Sequence, residues 1–141
     1  MSSMIRRKTK LCSGFHACVT ATIAPNGHIV GKADLTNRNC LGQAASWVFV
    51  LYDEHKNVLF LSKSQTKHIS GCPILATTSE MTSEVINQTF PEKLGPQVAG
   101  IEVIIFRHEH DISDQINIIL EDARKKTEKL DALLDWLEDR L

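Results

Sequence analysis

The chain has 141 residues and a mass of 15.8 kDa, the size of one domain. Apolar residues make up 43% and charged residues 23%, an ordinary globular balance that excludes collagen-like, low-complexity and disordered classes. No run approaches the roughly 18 uncharged apolar residues of a membrane-spanning helix. The net charge of −1 gives the whole chain no bias toward nucleic acid or membrane, and neither partner is expected.

Charge is unevenly spread. Residues 1–10 carry +4 through Arg6, Arg7, Lys8 and Lys10, residues 11–110 carry −1, and residues 111–141 carry −4. Residues 1–13 read as a flexible basic arm that could act electrostatically on phosphates. No apolar stretch follows the basic residues, so a signal peptide is not expected and the reading is cytoplasmic. Cys12, Cys18, Cys40 and Cys72 then read as free thiols.

From Phe15 the apolar period becomes two. Phe15, Ala17, Val19, Ala21 and Ile23 alternate with polar residues, as on a half-buried strand. Pro25-Asn26-Gly27-His28 follows, and the Asn-Gly pair points to a type I′ hairpin turn. The return strand is expected over Ile29 to Thr36, with Ile29, Gly31, Ala33 and Leu35 on one side. Residues 37–45 read as a loop. Ser46 to Tyr52 is apolar on both faces, which is how a strand covered on both sides reads. A polar turn at Asp53–Lys56 returns into Asn57–Ser62. Between Lys63 and Gln97 the signals blur: Ile74–Thr78 could be a short strand, and Glu80–Gln88 either helix or strand. Val98 to Arg107 is a β-branched strand.

From Asp111 the period becomes helical, and neither Gly nor Pro interrupts residues 112–141. One helix of about 45 Å is expected at 1.5 Å per residue. Ile116, Leu120, Ala123, Thr127, Leu130, Leu134, Leu137 and Leu141 recur at alternating spacings of four and three, the a/d repeat of a coiled coil. Ile119 and Leu133 at g positions, with Trp136, widen the stripe. A stripe that wide suits a helix lying on its own β body, a bundle with copies of itself, or a partner's groove.

The fold expected is mainly β with one long C-terminal helix. The β part is an antiparallel sandwich or small barrel over residues 14–110, built from hairpins, and the helix occupies 111–141. The leading functional expectation is a non-enzymatic binding or assembly module. It would form homo-oligomers through Ile116, Ile119, Leu120, Ala123, Thr127, Leu130, Leu133, Leu134, Leu137 and Leu141. Another protein is the further partner considered, and no cofactor is expected.

His108-Glu109-His110-Asp111 is the one cluster with metal-ligand chemistry. Two histidines two apart on an extended segment share a side and could share a metal. His16, His28, His55 or His68 would have to supply a third ligand. A small metal-dependent enzyme on His108 and His110 is therefore one alternative, and a β-sandwich that binds a sugar or lipid is another. No nucleophile elbow, Walker A or dinucleotide motif occurs.

Overall fold

A computed structural model describes residues 4–24, 26–39, 41–71, 80–108 and 115–141. Its strands are β1 (Met4–Cys12), β2 (Phe15–Ala24), β3 (His28–Asn37), β4 (Gln43–Tyr52), β5 (Val58–Leu61), β6 (Gln65–Ile69), β7 (Glu80–Thr89) and β8 (Gly100–Arg107). Two helices end the chain, α1 (Ile116–Lys126) and α2 (Leu130–Glu138). The strands make two antiparallel sheets. The first has the order β1-β2-β3-β7. In the second, β4 is central, with β8 along one side and β5 and β6 sharing the other.

The alternating residues of β2 and β3 explain the first layer of packing. Phe15, Ala17, Val19, Ala21, Ile29, Ala33 and Leu35 point into one apolar cluster with Trp47, Phe49, Leu51, Ile101 and Val103 of the second sheet. The two sheets therefore face each other, and one side of β4 is covered. Its other side carries Val48 and Val50. These join Phe106 and the helix residues Ile116, Leu120, Ala123, Leu130, Leu133 and Leu137 in a second cluster. β4 is thus buried on both faces, as its sequence reads.

The β2–β3 hairpin pairs Phe15 with Asn37 through Ala24 with His28. Its turn differs from the type I′ expectation. Gly27 has φ 82° while Asn26 does not take positive φ, so one residue rather than two occupies the left-handed region.

Two stretches take a form that the sequence reading did not assign. Residues 4–12, read as part of a flexible arm, are strand β1, paired with β2 from Met4↔Thr22 to Cys12↔Phe15. Its charges suit an edge strand, where lysine and arginine discourage further pairing. Glu80–Thr89 is a strand and not a helix, paired with β3 along its whole length. Among its inward residues only Ile86 is a buried apolar one, which is why its period is faint in sequence.

The expected single C-terminal helix is two helices of 11 and 9 residues. They are joined at Thr127-Glu128-Lys129, where Thr127 and Lys129 are extended. No Gly or Pro causes the break. Backbone pairing with the start of β5 does. The Val58 amide donates to the Glu128 carbonyl at 2.7 Å, and the Leu130 amide to the Lys56 carbonyl at 2.8 Å. An antiparallel bridge joins Asn57 and Lys129. The Thr127 hydroxyl donates back to the Ala123 carbonyl at 2.6 Å and closes the first helix. Helices this short are marginal alone and depend on the face they bury.

The β4–β5 turn that meets this break is held by Asp53. Its Oδ1 accepts from the amides of His55 and Asn57, each at 2.9 Å, and its Oδ2 from Asn57 Nδ2 at 3.1 Å. The bond from the Asn57 amide is the largest cause holding the carboxyl below its ordinary value of 3.8, with smaller help from the Asn57 side chain and from His55.

Two outcomes follow from this packing. Leu133 is fully buried and Leu134 is half-buried. In urea unfolding, Leu133→Ala costs about 2–5 kcal/mol and Leu134→Ala clearly less. Equal costs would contradict the packing of α2 on the second sheet. Asp53 supplies the second test. A carboxyl depressed in the fold contributes stability above its unfolded pKa, and that contribution is lost as pH falls through the folded pKa. The stability gap between wild type and Asp53→Ala is therefore full at about pH 7 and shrinks at about pH 2.5. A gap that does not change with pH would mean that the turn hydrogen bonds carry no charge preference.

Candidate functional site: a groove between a strand corner and the last helix

Each sheet leaves strands at its margins, and their backbone groups must be paired, covered or left open. Three margins are closed by side chains. Along β5, Arg124 of α1 donates Nη1 to the Val58 carbonyl and Nη2 to the Leu59 carbonyl, both at 3.1 Å. Between β6 and β7, Gln65 Nε2 donates to the Val85 carbonyl at 3.2 Å, and Gln88 Nε2 donates to Gln65 Oε1 at 3.1 Å. Lys67 and Glu84 add an ion pair at 3.2 Å across the same corner.

The corner between β1 and β8 is different. It is bridged by the Arg7–Glu102 ion pair at 2.8 Å, which is largely wet on the arginine side. Beside that pair lies a groove of about 820 Å³. Its floor is β8 from Val103 to Arg107, its first wall is β1 at Arg7 to Leu11, and its second wall is α2 with Leu134, Asp135, Leu137, Glu138 and the following Leu141.

The register of β8 decides what faces this groove. The His108 amide donates to the Ala44 carbonyl at 2.9 Å, so the even-numbered residues of β8 bond to β4. The residues between them, Val103 and Ile105, turn their N–H and C=O groups away from β4 toward the groove. No described strand pairs with them. Val103 is nonetheless buried and Ile105 half-buried, so this margin of β8 is covered by its neighbours, and what the groove offers is side chains.

Of the residues singled out from the heptad pattern, Ile116, Leu120, Ala123, Leu130, Leu133 and Leu137 are buried against the chain's own sheet. Ile119, Thr127, Leu134 and Leu141 remain partly accessible. Two of these four, Leu134 and Leu141, line the groove. The basic residues divide as well. Arg7 closes the corner, and Lys10 reaches the groove rim. Arg6, Lys8 and Lys10 share a face with Thr20, Cys18 and His16 of β2, on the outer side of the first sheet.

The histidine cluster is partly assembled. His108 follows β8 and His68 lies on β6, so they flank Ala44 from opposite sides of β4. Their rings meet edge to face at a centroid distance of 6.1 Å. His108 Nδ1 lies 3.1 Å from Ser46 Oγ, which also lies 2.6 Å from Thr66 Oγ1. Ser46 is fully buried. A hydroxyl without access and already held twice orients the ring and leaves no room for a substrate to be attacked. His110 lies outside the described residues. His16 and His28 lie on the first sheet and His55 in the β4–β5 turn, away from this pair. Among the described residues no three His, Cys, Asp or Glu side chains come together as a metal site.

The groove was not readable from sequence, because it is made by three segments far apart in the chain. No helix among the described residues is long and apolar enough to cross a membrane. Compared with protein-family models, curated proteins and solved structures, the chain has no match in any of the three.

Proposed function

We propose that this chain is a non-enzymatic binding and assembly module of the cytoplasm, and that the groove between β1, β8 and α2 is its contact surface. One observation carries the reading. Leu134 and Leu141, which the chain's own sheet leaves half-buried, line a groove of about 820 Å³ between β1, β8 and α2. A groove whose apolar side chains are left partly accessible is a surface on which another polypeptide can bury them.

Self-association is the second reading. Leu134 and Leu141 favour it, because they belong to the leucine pattern, stay partly accessible and lie in this same groove. Under either reading the surface works by burial of apolar area.

Light scattering coupled to size exclusion tests the surface as a whole. The purified protein is run across a wide concentration range, alone and mixed with a lysate-derived partner identified by cross-linking from a photoreactive group placed at Glu138. Wild type gains mass, either as a homo-oligomer or as a complex, and Leu134→Asp loses that gain while keeping its circular dichroism spectrum. A Leu134→Asp protein that assembles like wild type would remove the groove from the reading.

A further inference from the structure

We propose that the outer face of the first sheet docks on the surface of an anionic phospholipid bilayer. This is a second surface with a different partner, and it reaches the groove only at Lys10.

The strand register shows what the face carries. Side chains directly opposite each other on antiparallel strands share a face. Arg6, Lys8 and Lys10 of β1 stand beside Thr20, Cys18 and His16 of β2. Beyond them come Lys32, Asp34 and Thr36 of β3, then Val85, Ser83 and Met81 of β7. Met4, Thr22, Val30 and Asn87 make the row before. None of these residues is buried, whereas the alternate residues of β2 and β3 fill the core. Four strands about 4.8 Å apart, with rows about 6.8 Å apart, make a continuous surface of roughly 14 by 20 Å.

Charge is the first feature that selects the occupant. Arg6, Lys8 and Lys10 have no ion-pair partner among the described residues. The one acid on the face, Asp34, is held by Lys32 at 3.6 Å and by the Ser83 hydroxyl. With Arg6, Lys8, Lys10 and Lys32 against Asp34 the face carries +3, while the chain carries −1, so the remainder sums to −4. The whole-chain charge conceals that separation. The helices, with their carboxylates, cover the far side of the second sheet. Charges farther apart than about 8 Å are largely screened at physiological salt. Asp135 and Glu138 line the groove that Lys10 also reaches, which leaves Arg6 and Lys8 as the centre of the cationic column.

Exposed apolar surface is the second feature. Six large apolar side chains stand exposed among the described residues, and four of them, Met4, Val30, Met81 and Val85, are on this face. Met81 and Val85 are 73% and 75% exposed. Cations interspersed with apolar side chains match an anionic headgroup layer, where the cations meet phosphates and the apolar groups leave water. A bilayer is flat on this scale and needs no pocket to meet a sheet. A nucleic acid strand is the poorer match. Its bases stack on aromatic rings, and the described residues of this face include no Phe, Tyr or Trp.

The test is co-sedimentation of the full chain with vesicles of phosphatidylcholine, alone or with about a third phosphatidylserine. The expected result is binding to the mixed vesicles only, falling steeply between about 20 and 200 mM salt. One cation at an anionic surface is worth about fivefold in binding, so Lys8→Glu, which also adds a negative charge, weakens it about twentyfold or more. Replacing Met81 and Val85 together by serine weakens it severalfold. Lys125→Glu makes the same charge change at an exposed lysine of α1 and leaves binding within about twofold. Each variant keeps the wild-type circular dichroism spectrum. Equal losses in Lys125→Glu and Lys8→Glu would reduce the effect to net charge and overturn a docking face. Equal binding to vesicles without phosphatidylserine, or none at about 20 mM salt, would overturn it as well. Tighter binding of a thymidine oligonucleotide or of polyglutamate, with the same loss in Lys8→Glu, would give the face to nucleic acid or to an acidic protein and overturn the bilayer. Leu134→Asp binds vesicles as wild type does, so the groove reading and this one fail separately.

Discussion

β4 is apolar on both faces, and a strand of that kind has to be covered twice. This constraint organises the molecule. The first sheet covers Trp47, Phe49 and Leu51, and the helices cover Val48 and Val50. Burying a leucine or isoleucine side chain is worth roughly 1.5–3 kcal/mol relative to leaving it wet. An exposed helical ion pair such as Lys126–Asp122 is worth only about 0.3–0.5 kcal/mol. The leucine pattern of the C-terminal segment is therefore spent on the second sheet first, and Ile119, Thr127, Leu134 and Leu141 are what it leaves partly accessible.

That use of the leucines also explains the helix break. A straight helix of 26 or more residues would run past the small sheet it has to cover. The turn at Thr127–Lys129 sends α2 back over β8. The lost helical bonds are replaced by one from the Val58 amide to the Glu128 carbonyl and one from the Leu130 amide to the Lys56 carbonyl. The break is a tertiary event. Nothing in Thr127-Glu128-Lys129 taken alone stops a helix, and so the local pattern reads straight through it.

How much could be read from residues depends on how much of the signal is local. The β2–β3 hairpin was legible because its period of two and its Asn-Gly turn lie within one short stretch. The double burial of β4 was legible because its own seven residues from Ser46 to Tyr52 carry it. β1 was not, because an edge strand exchanges apolar residues for charge and then resembles a solvated tail. β7 was not, because pairing with β3 holds it with little inward apolar surface. At the candidate site, Leu134, Leu141 and Lys10 were already singled out, but as members of a coiled-coil seam and a basic arm. The groove that unites them is made by the packing of β1, β8 and α2, which no local stretch of sequence displays.

The most direct measure of this arrangement is the stability of variants on the two sides of β4. If both sides are covered within one chain, Phe49→Ala, toward the first sheet, lowers the unfolding free energy of the monomer by about 3–5 kcal/mol, and Leu137→Ala, on the helix that covers the other side, by about 2–5 kcal/mol. A Leu137→Ala monomer as stable as wild type would mean that the helices do not cover that side, and the account of a doubly covered strand would fail.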